Sequence, residues 1–455
     1  MNTLNVSEKA IRTVLTKMDS TGFIEKDNRG GRCANVVLKD EAKRKLIENH
    51  INRFPRVESH YCRKDSTREY LHSDLTLKRM YAMFINESGF DEDKPSFTTY
   101  RAVFKAKNLS FHRPKKDLCS LCKTYHESSK EKKVEMQTTY DEHTKSKNAI
   151  REYKSLCKIS AESDPEKTVC LCFDLQQVIH LPISNENAIF YKRRLACYNL
   201  TFYNLASRDC HCFTWNECDS GRGSCEISTA LFKILLKYDE KKVKIVNLFA
   251  DGCGGQNRNT IVVAALLFIV SKSNHIGEIS LCFFTANHGQ NEGDSAHSAI
   301  SYAIKKAGEL FIPSQLTPVI RLARLAKPYE VHTFSFGDFW DFKTLGENLR
   351  IRSLRIDDQG NGFKWTEVTE FKVTKNDLQK IFFKTSHLEE NYRSVTLKRQ
   401  NTPFLTKPLN KLNTEPRPIS MAKYKDLNTL CTGNTPVIRL PEHINFYKSL
   451  PHTAE

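Results

Sequence analysis

Three aspartates in the second half of the sequence have the type and placement for metal chemistry. Asp174 interrupts the apolar run CFDLQQVIHL, where an ionised carboxylate is costly unless it is paired, hydrogen-bonded or bound to a metal. Asp251 ends the apolar stretch IVNLFAD, and Asp294 opens the helical pattern DSAHSAISYAI. Carboxylates that converge repel one another unless a cation lies between them. We therefore predict that these three acids meet around bound cations.

The chemistry that such a cluster supports is phosphodiester cleavage or joining. Hard oxygen ligands suit Mg²⁺ or Mn²⁺. Two divalent ions about 3.5–4 Å apart can activate a water or a 3′-hydroxyl and stabilise the leaving oxygen. The structural alternative is that Asp251 caps a turn and Asp294 caps a helix.

The elements that must position these acids lie between residues 168 and 335. Three strand-like stretches come first, TVCLCFDLQQVIHLP, ACYNLTFYNLA and CHCFTWNEC. They are followed by the helix SCEISTALFKILLKY, the strand KVKIVNLFAD, the helix TIVVAALLFIVSK, the strand EISLCFFTA and the helix DSAHSAISYAIKKAGEL. The order β-β-β-α-β-α-β-α predicts an α/β fold with a mixed sheet and helices on its faces. Ligands bind at the strand ends of such sheets.

Longer motifs in the same region carry a family resemblance. FDLQQ, YKRRLACYNL, SGRGSCEI, DGCGGQNRN and HGQNEGDSAHS occur in this order, after RVESHYCRKDSTREYL and FHRPKKDLCSLC. With acids on the first strand, after the fourth strand and on the helix after the fifth, the chain resembles transposon-derived animal proteins that have an RNase H-like core of the DDE/DDD transposase and integrase type. The resemblance spans most of the chain. It implies an RNase H-like mixed sheet and metal-dependent chemistry on DNA.

The resemblance also assigns site residues. It implies that the catalytic metals are held by three acids, Asp174, Asp251 and Asp294. Glu226 lies where ribonuclease H enzymes place an additional acid, and Glu292 competes with Asp294 for the third position. His297, one turn beyond Asp294, is expected to orient water or the scissile phosphate, or to assist proton transfer.

The glycine-rich turn GCGGQN after Asp251 is weak evidence of phosphate binding. It lacks the Lys-Ser/Thr pair of a P-loop. We expect Gln256 and Asn257 either to position DNA or to hold the turn at the active site.

A second metal site is predicted from DLCSLCKTYH, where Cys119 and Cys122 form a C-x₂-C pair. Structural Zn²⁺ takes four nitrogen or sulfur ligands, and a two-residue gap lets both thiolates face one ion. Four residues compete for the other two positions, His60, Cys62, His126 and His143. We favour Cys62 and His143, and two buried free cysteines are the structural alternative. The cluster CHC at 210–212 alternates on a strand, and we interpret it as structural.

The charge balance favours a polyanionic partner. The 455 residues include 70 Lys and Arg against 53 Asp and Glu, a net charge of +17. Such an excess is typical of nucleic-acid binding, although a basic solubilising surface is the alternative. Contacts with the DNA backbone are expected from seven basic residues, Arg29, Arg32, Lys115, Lys116, Lys192, Arg193 and Arg194.

The same composition argues against a membrane protein. The longest apolar run, TIVVAALLFIVSK, is too short to span a bilayer, and MNTLNVSEKAIRT lacks the layout of a signal peptide. We expect an intracellular, soluble protein that has no membrane partner and works in the nucleus. Because transposases usually act as multimers, the resemblance implies a homo-oligomer.

Changes in composition predict five regions. Residues 1–35 combine the helix SEKAIRTVLTKM with a basic, glycine-tipped hairpin, which predicts a winged-helix-like element, with a plain helix–hairpin as the alternative. The chain begins almost inside this element, so a truncated element is among the interpretations. The other regions are a helical DNA- and zinc-binding region at 36–128, a charged, exposed helical linker at 129–167, the core at 168–335, and a C-terminal region at 336–455 with short strands, a Pro-rich linker and a terminal helix.

These observations lead to one principal hypothesis and two rivals. The principal hypothesis is a transposase-derived polynucleotidyl transferase or nuclease that cuts or joins DNA with two divalent ions. The first rival is a domesticated, non-catalytic DNA-binding protein that keeps the fold as a scaffold. The second is an RNA-degrading nuclease of the same fold.

Overall fold

Two units make up the chain in the computed structural model, Met1–Lys116 and Asp117–Glu455. The structure describes residues 8–18, 41–56, 69–72, 74–88, 95–111, 119–286, 288–289, 292–433 and 435–454. Six residues with predicted roles lie outside these ranges, Arg29, Arg32, His60, Cys62, Lys115 and Lys116. Of the helices in the described ranges, none is both long enough and apolar enough to cross a bilayer.

The first unit consists mainly of helices. They are α1 (Glu8–Lys17), α2 (Glu41–Asn52), α3 (Leu77–Ser88) and α4 (Phe97–Ala106), and the strands β1 (Glu69–Leu71) and β2 (Leu109–Phe111) pair in parallel. Met80, Phe84 and Tyr100 form the centre of its core, where the Tyr100 hydroxyl lies 2.9 Å from Nδ1 of the buried His50. Helix α1 matches the predicted N-terminal helix, but its apolar residues Ile11, Val14 and Leu15 are exposed, as is Met18 directly after it.

A ten-stranded mixed sheet organises the second unit. Its strands are β3 (Thr168–Leu175), β4 (Ile179–Leu181), β5 (Leu195–Asn204), β6 (Cys210–Asn216), β7 (Ile245–Ala250), β8 (Glu278–Phe283), β9 (Glu330–Thr333), β10 (Glu370–Thr374), β11 (Asp377–Lys384) and β12 (Arg393–Thr396). Its helices are α5 (Ser120–Glu127), α6 (Lys130–Ser163), α7 (Ser224–Glu240), α8 (Thr260–Lys272), α9 (Glu292–Ala307), α10 (Leu316–Arg321), α11 (Phe342–Asn348), α12 (Met421–Thr429) and α13 (Pro441–Lys448).

The strand order is β12-β11-β10-β8-β7-β3-β5-β6-β9, with β4 beside β5. Strands β3, β7 and β8 run parallel, β5 is antiparallel to both β3 and β6, and β9 is parallel to β6. The predicted α/β mixed sheet is therefore confirmed, and β4 is an additional short strand. The segment after residue 335 adds β10, β11 and β12 to the same sheet through the pairing of β10 with β8.

Side chains along β3 alternate between the two faces of the sheet, and different helices cover these faces. Val169, Leu171 and Phe173 pack into the core that contains α7, α8 and α11, whereas Cys170 and Cys172 pack against α6. Side chains two residues apart on a strand share a face. Asp174 therefore points to the face covered by α6 and α9, one residue before the strand ends.

Two local predictions need correction. FSFGDFWDF lies at the start of the C-terminal region, where short strands are predicted, but it forms a short 3₁₀ turn and the start of α11, because Phe339 and Phe342 pack fully buried into the core beside α8. The charged segment predicted as an exposed helix is the 34-residue α6, but one side of it is buried. Ile150, Cys157 and Ala161 on that side pack against the sheet.

Candidate metal centres

Asp174, Asp294 and His297 come together where β3 ends and α9 begins. One ligand atom of each lies within 4.8 Å of the others, so the group could hold a metal ion. The Nδ1 atom of His297 is 3.8 Å from Oδ2 of Asp174. Asp294 is in the first turn of α9, and His297 follows three residues later on the same side of the helix.

Asp251 reaches the same place from the neighbouring strand. Strand β7 is parallel to β3, with Cys172 in register with Phe249, and Asp251 is the residue immediately after β7. The Asp251 carboxylate acts electrostatically on Asp174, so the two acids are near each other, although Asp251 is not one of the three residues whose ligand atoms lie within 4.8 Å of one another. The amide of Asn257 donates to the backbone oxygen of Asp251 at 3.1 Å, so Asn257 holds the turn.

Two carboxyl groups of the cluster have raised pKa values. Burial, with the Asp251 and Asp294 carboxylates as further causes, raises the pKa of Asp174 to about 7. Burial and the Asp294 carboxylate also raise the pKa of Asp251. Burial lowers the pKa of His297 to about 4, so its imidazole is neutral at pH 7. Its buried Nε2 atom has no hydrogen-bond partner among the described residues.

Gly289 lies against the Asp251 carboxylate. A Cβ atom built on Gly289 would be 1.8 Å from Oδ1 of Asp251, a distance that no side chain can tolerate. Residue 289 must therefore be glycine for Asp251 to keep its position. Oxygen donors, raised carboxyl pKa values and this close backbone approach together fit a bound cation.

The two other candidate acids have partners of their own. The Lys154 ammonium on α6 donates to Oε2 of Glu292 at 2.5 Å, and the Cys172 thiol lies 3.7 Å from the same oxygen. Glu226 accepts from the Ser220 hydroxyl at 2.7 Å and from the Gly223 backbone N–H at 2.9 Å, which closes the loop before α7. Metal binding by Glu226 stays a prediction, and the group described above contains Asp294 and not Glu292.

A second group of possible metal ligands consists of Cys119, Cys122, His143 and His288. The Cys119–His143, Cys122–His143 and Cys122–His288 sulfur–nitrogen distances are 3.7, 3.4 and 3.6 Å. The two Nε2 atoms are 2.9 Å apart. Tetrahedral zinc, with bonds of about 2.3 Å to sulfur and 2.0–2.1 Å to nitrogen, places such pairs about 3.6 Å and 3.3 Å apart. Burial and the nearby Lys147 lower the pKa of His143, which keeps the imidazole neutral for binding.

Three of these four residues follow from the sequence, and His288 does not. His143 is one of the two favoured ligands, whereas the competing His126 approaches the Tyr140 hydroxyl at 3.4 Å. Cys62, the other favoured ligand, lies outside the described residues. The signal that could have identified His288 is its place in HGQNEGD, directly after the strand that precedes Asp294.

The described basic residues predicted to bind DNA have protein partners. Arg193 donates to the Asp426 carboxylate on α12 at 2.8 Å, and Lys192 lies 3.6 Å from the same group. Arg194 donates to the Pro182 carbonyl at 3.4 Å. These contacts join the 191–194 segment to its surroundings, and DNA binding by the three residues stays a prediction.

Comparison with known proteins gives no match to this chain, whether the comparison is with family models, curated proteins or solved structures. The chemistry of the site therefore has to be inferred from its own side chains.

Proposed function

We propose that the chain is a transposase-derived, metal-dependent polynucleotidyl transferase or nuclease that cuts or joins DNA phosphodiesters. In this proposal Asp174, Asp251 and Asp294 hold Mg²⁺ or Mn²⁺. The observation that carries it is the convergence of three acids from β3, the end of β7 and the start of α9, where burial, together with mutual repulsion, raises the pKa values of Asp174 and Asp251. A buried group of like charges is stable when a cation neutralises it.

The sheet order supports an RNase H-like core. In such a core the first strand is central, with the second and third strands antiparallel on one side and the fourth and fifth parallel on the other. The order β6-β5-β3-β7-β8 and its strand directions agree with this arrangement. In this arrangement Asp174 lies on the central strand β3, Asp251 follows the parallel strand β7, and Asp294 lies on α9, the helix after β8.

The roles of the chain's own residues follow from their contacts. Divalent ions bound here would activate a water or a 3′-hydroxyl and stabilise the leaving oxygen. His297, neutral at pH 7, would orient the attacking group or the phosphate through its buried Nε2. Asn257 and Gly289 would hold Asp251 in place, and Lys154 would hold Glu292 at the start of α9.

We also propose that Cys119, Cys122, His143 and His288 bind one structural Zn²⁺. The near-tetrahedral spacing of their ligand atoms supports this assignment. Because His288 is followed directly by Gly289, a zinc ion there would fix the backbone that lies against Asp251. DNA as partner, a nuclear location and a homo-oligomer belong to the same proposal, and the net charge of +17 supports the first of them.

Plasmid nicking tests the proposal. Purified protein should nick supercoiled DNA in Mn²⁺ or Mg²⁺ but not in EDTA, and Asp174→Asn, Asp251→Asn and Asp294→Asn should each abolish nicking. Glu292→Gln, a change two residues away on the same helix turn, is the matched control and should keep the activity. Nicking that persists in the triple aspartate variant would contradict the proposal.

The same experiment separates the two rivals. DNA binding without nicking in any divalent metal would favour the non-catalytic scaffold. Cleavage of an RNA–DNA hybrid in preference to duplex DNA would favour the RNA-degrading nuclease.

A further inference from the structure

His211, Glu330 and His332 form a third group of possible ligands, on β6 and β9, which are two and three strands away from β3 in the sheet. Strand β9 is parallel to β6, with His211 in register with Glu330 and Phe213 with His332. Residues opposite each other or two apart share a face, so all three side chains project from the same side of the sheet. That side is covered by α7, and it is the opposite face from Asp174.

The distances within this group are those of a metal-binding tripod. His211 Nδ1 is 3.3 Å from Glu330 Oε2, His332 Nε2 is 3.4 Å from Glu330 Oε1, and the two nitrogens are 3.5 Å apart. A tetrahedral ion with bonds of about 2.0–2.1 Å to nitrogen and oxygen keeps neighbouring ligands about 3.3 Å apart. The two imidazoles approach different oxygens of Glu330, but one ligand atom of each residue lies within 4.8 Å of the others, so one ion can contact all three residues.

We propose that His211, Glu330 and His332 bind a first-row divalent transition metal, with Zn²⁺ as the best fit, and leave a fourth position open to water or another ligand. Two imidazoles and one carboxylate are a donor set that zinc and its neighbours accept, unlike Mg²⁺, which prefers oxygen. This site is independent of the proposed DNA chemistry and shares no residue with it.

The surroundings of the site hold the ligands in place. The His332 ring stacks on Phe213, with ring centres 4.7 Å apart, and His211 is buried. Burial lowers the pKa of His211 to about 4 and also lowers that of His332, so both imidazoles are neutral and can bind a metal at pH 7. A cavity of about 370 Å³, lined in part by His332 and Lys237, gives access from solvent.

Lys237 competes with the metal for Glu330. Its ammonium lies 2.6 Å from both carboxylate oxygens and supplies the positive charge there. The Lys237 side chain is 33% exposed and is near the end of α7, so it can turn into solvent when a metal binds. Removal of the Lys237 ammonium should therefore strengthen metal binding while all three ligands remain.

Cobalt titration of the full chain tests this inference. Co²⁺ bound at the Cys119 group gives thiolate charge-transfer absorption, whereas Co²⁺ bound by two imidazoles and a carboxylate gives only weak visible bands, so the two sites are read separately. We expect His332→Ala and Glu330→Gln each to lose one equivalent of Co²⁺ while the thiolate signal stays. Lys237→Met should bind that equivalent about threefold or more tightly.

Two outcomes would overturn the inference. One is equal stoichiometry in the wild type, His332→Ala and Glu330→Gln. The other is an unchanged affinity in Lys237→Met, which keeps every ligand and so tests the site even if a ligand variant misfolds. Loss of plasmid nicking in the aspartate variants has no bearing on either result, since the two sites are separate.

Discussion

Gly289 lies so close to Asp251 that no other residue fits at position 289, since a Cβ there would lie 1.8 Å from Asp251 Oδ1. The preceding residue, His288, belongs to the second ligand group. One two-residue stretch thus joins the two centres: His288 would bind zinc, and Gly289 supports a proposed catalytic acid. Substitution of either His288 or Gly289 should therefore affect both centres.

Gly289→Ala should displace the Asp251 carboxylate. We expect weaker Mn²⁺ binding and at least a tenfold loss of plasmid nicking, because the new methyl group and Oδ1 cannot occupy the same space. Gly254→Ala is the matched control, since a Cβ at Gly254 meets nothing within 4 Å. Mn²⁺ titration by calorimetry and the nicking assay measure the two effects. Equal behaviour of the two alanine variants would show that Asp251 does not need the glycine.

Asp174→Asn should stabilise the metal-free protein above neutral pH. The pKa of Asp174 rises from 3.8 unfolded to about 7 folded, so the folded state holds the proton more tightly. The resulting penalty is absent below about pH 4, grows as the pH rises, and is complete above about pH 7. At pH 8 in EDTA we expect the asparagine variant to gain on the order of 1–3 kcal/mol in free energy of unfolding.

Urea unfolding at pH 5 and pH 8, with EDTA or Mn²⁺, measures this effect. Mn²⁺ should stabilise the wild type and leave Asp174→Asn unchanged, because the ion needs the carboxylate. Glu240→Gln, at the exposed end of α7, is the control for loss of one negative charge. If the metal-free wild type and Asp174→Asn were equally stable at pH 8, burial would not raise the pKa of Asp174 as described.

The sequence predicts the sheet and its aspartates because local patterns are sufficient there. Apolar runs of strand and helix length alternate from residue 168 onward; Asp174 interrupts one of these runs, Asp251 ends another and Asp294 opens a third. In contrast, the alternating aromatic residues around Phe339 and Phe342 satisfy a strand pattern equally well. Packing against α8 favours a turn and a helix over a strand, and the sequence pattern does not contain this packing.

His288 could not be predicted from spacing. Its nitrogen meets that of His143 across 145 residues of sequence, so no ligand motif of fixed length contains both. The loop after β8 reaches α6 only because the sheet order places β8 near that helix face. The CHC cluster cannot be fully interpreted from the sequence for the same reason. Cys210 and Cys212 are buried, as a structural role predicts, but the sequence does not show that the pairing of β9 with β6 brings Glu330 and His332 next to His211.

His288→Ala and Cys122→Ser should each release one equivalent of zinc. Zinc binding stabilises a fold that assembles its ligands, so the melting temperature should also fall. His126→Ala, a change of a histidine on the same short helix that contacts Tyr140, should keep the zinc. Metal analysis after dialysis gives the stoichiometry. Retention of zinc by both ligand variants would exclude this group as the site.

Lys154→Met should destabilise the protein by leaving the Glu292 carboxylate with the Cys172 thiol and without its ammonium partner. Since Lys154 is 14% exposed and Glu292 41%, we expect a loss of about 1–3 kcal/mol in the free energy of unfolding, less than for a fully buried pair. Lys158→Met on the same helix breaks only an exposed pair with Glu162 and should cost less than about 0.5 kcal/mol.

The double variant Lys154→Met/Glu292→Gln then decides what Glu292 does. If Glu292 only fixes the start of α9, removal of both charges should recover most of the lost stability and leave Mn²⁺ affinity near that of the wild type. If Glu292 were the third metal ligand in place of Asp294, the double variant would lose Mn²⁺ binding, as would Glu292→Gln alone. Urea unfolding and Mn²⁺ titration of Lys154→Met, Glu292→Gln and the double variant distinguish these cases. Glu292→Gln should keep its Mn²⁺ affinity if Glu292 only stabilises the helix, and should lose it if Glu292 is a metal ligand.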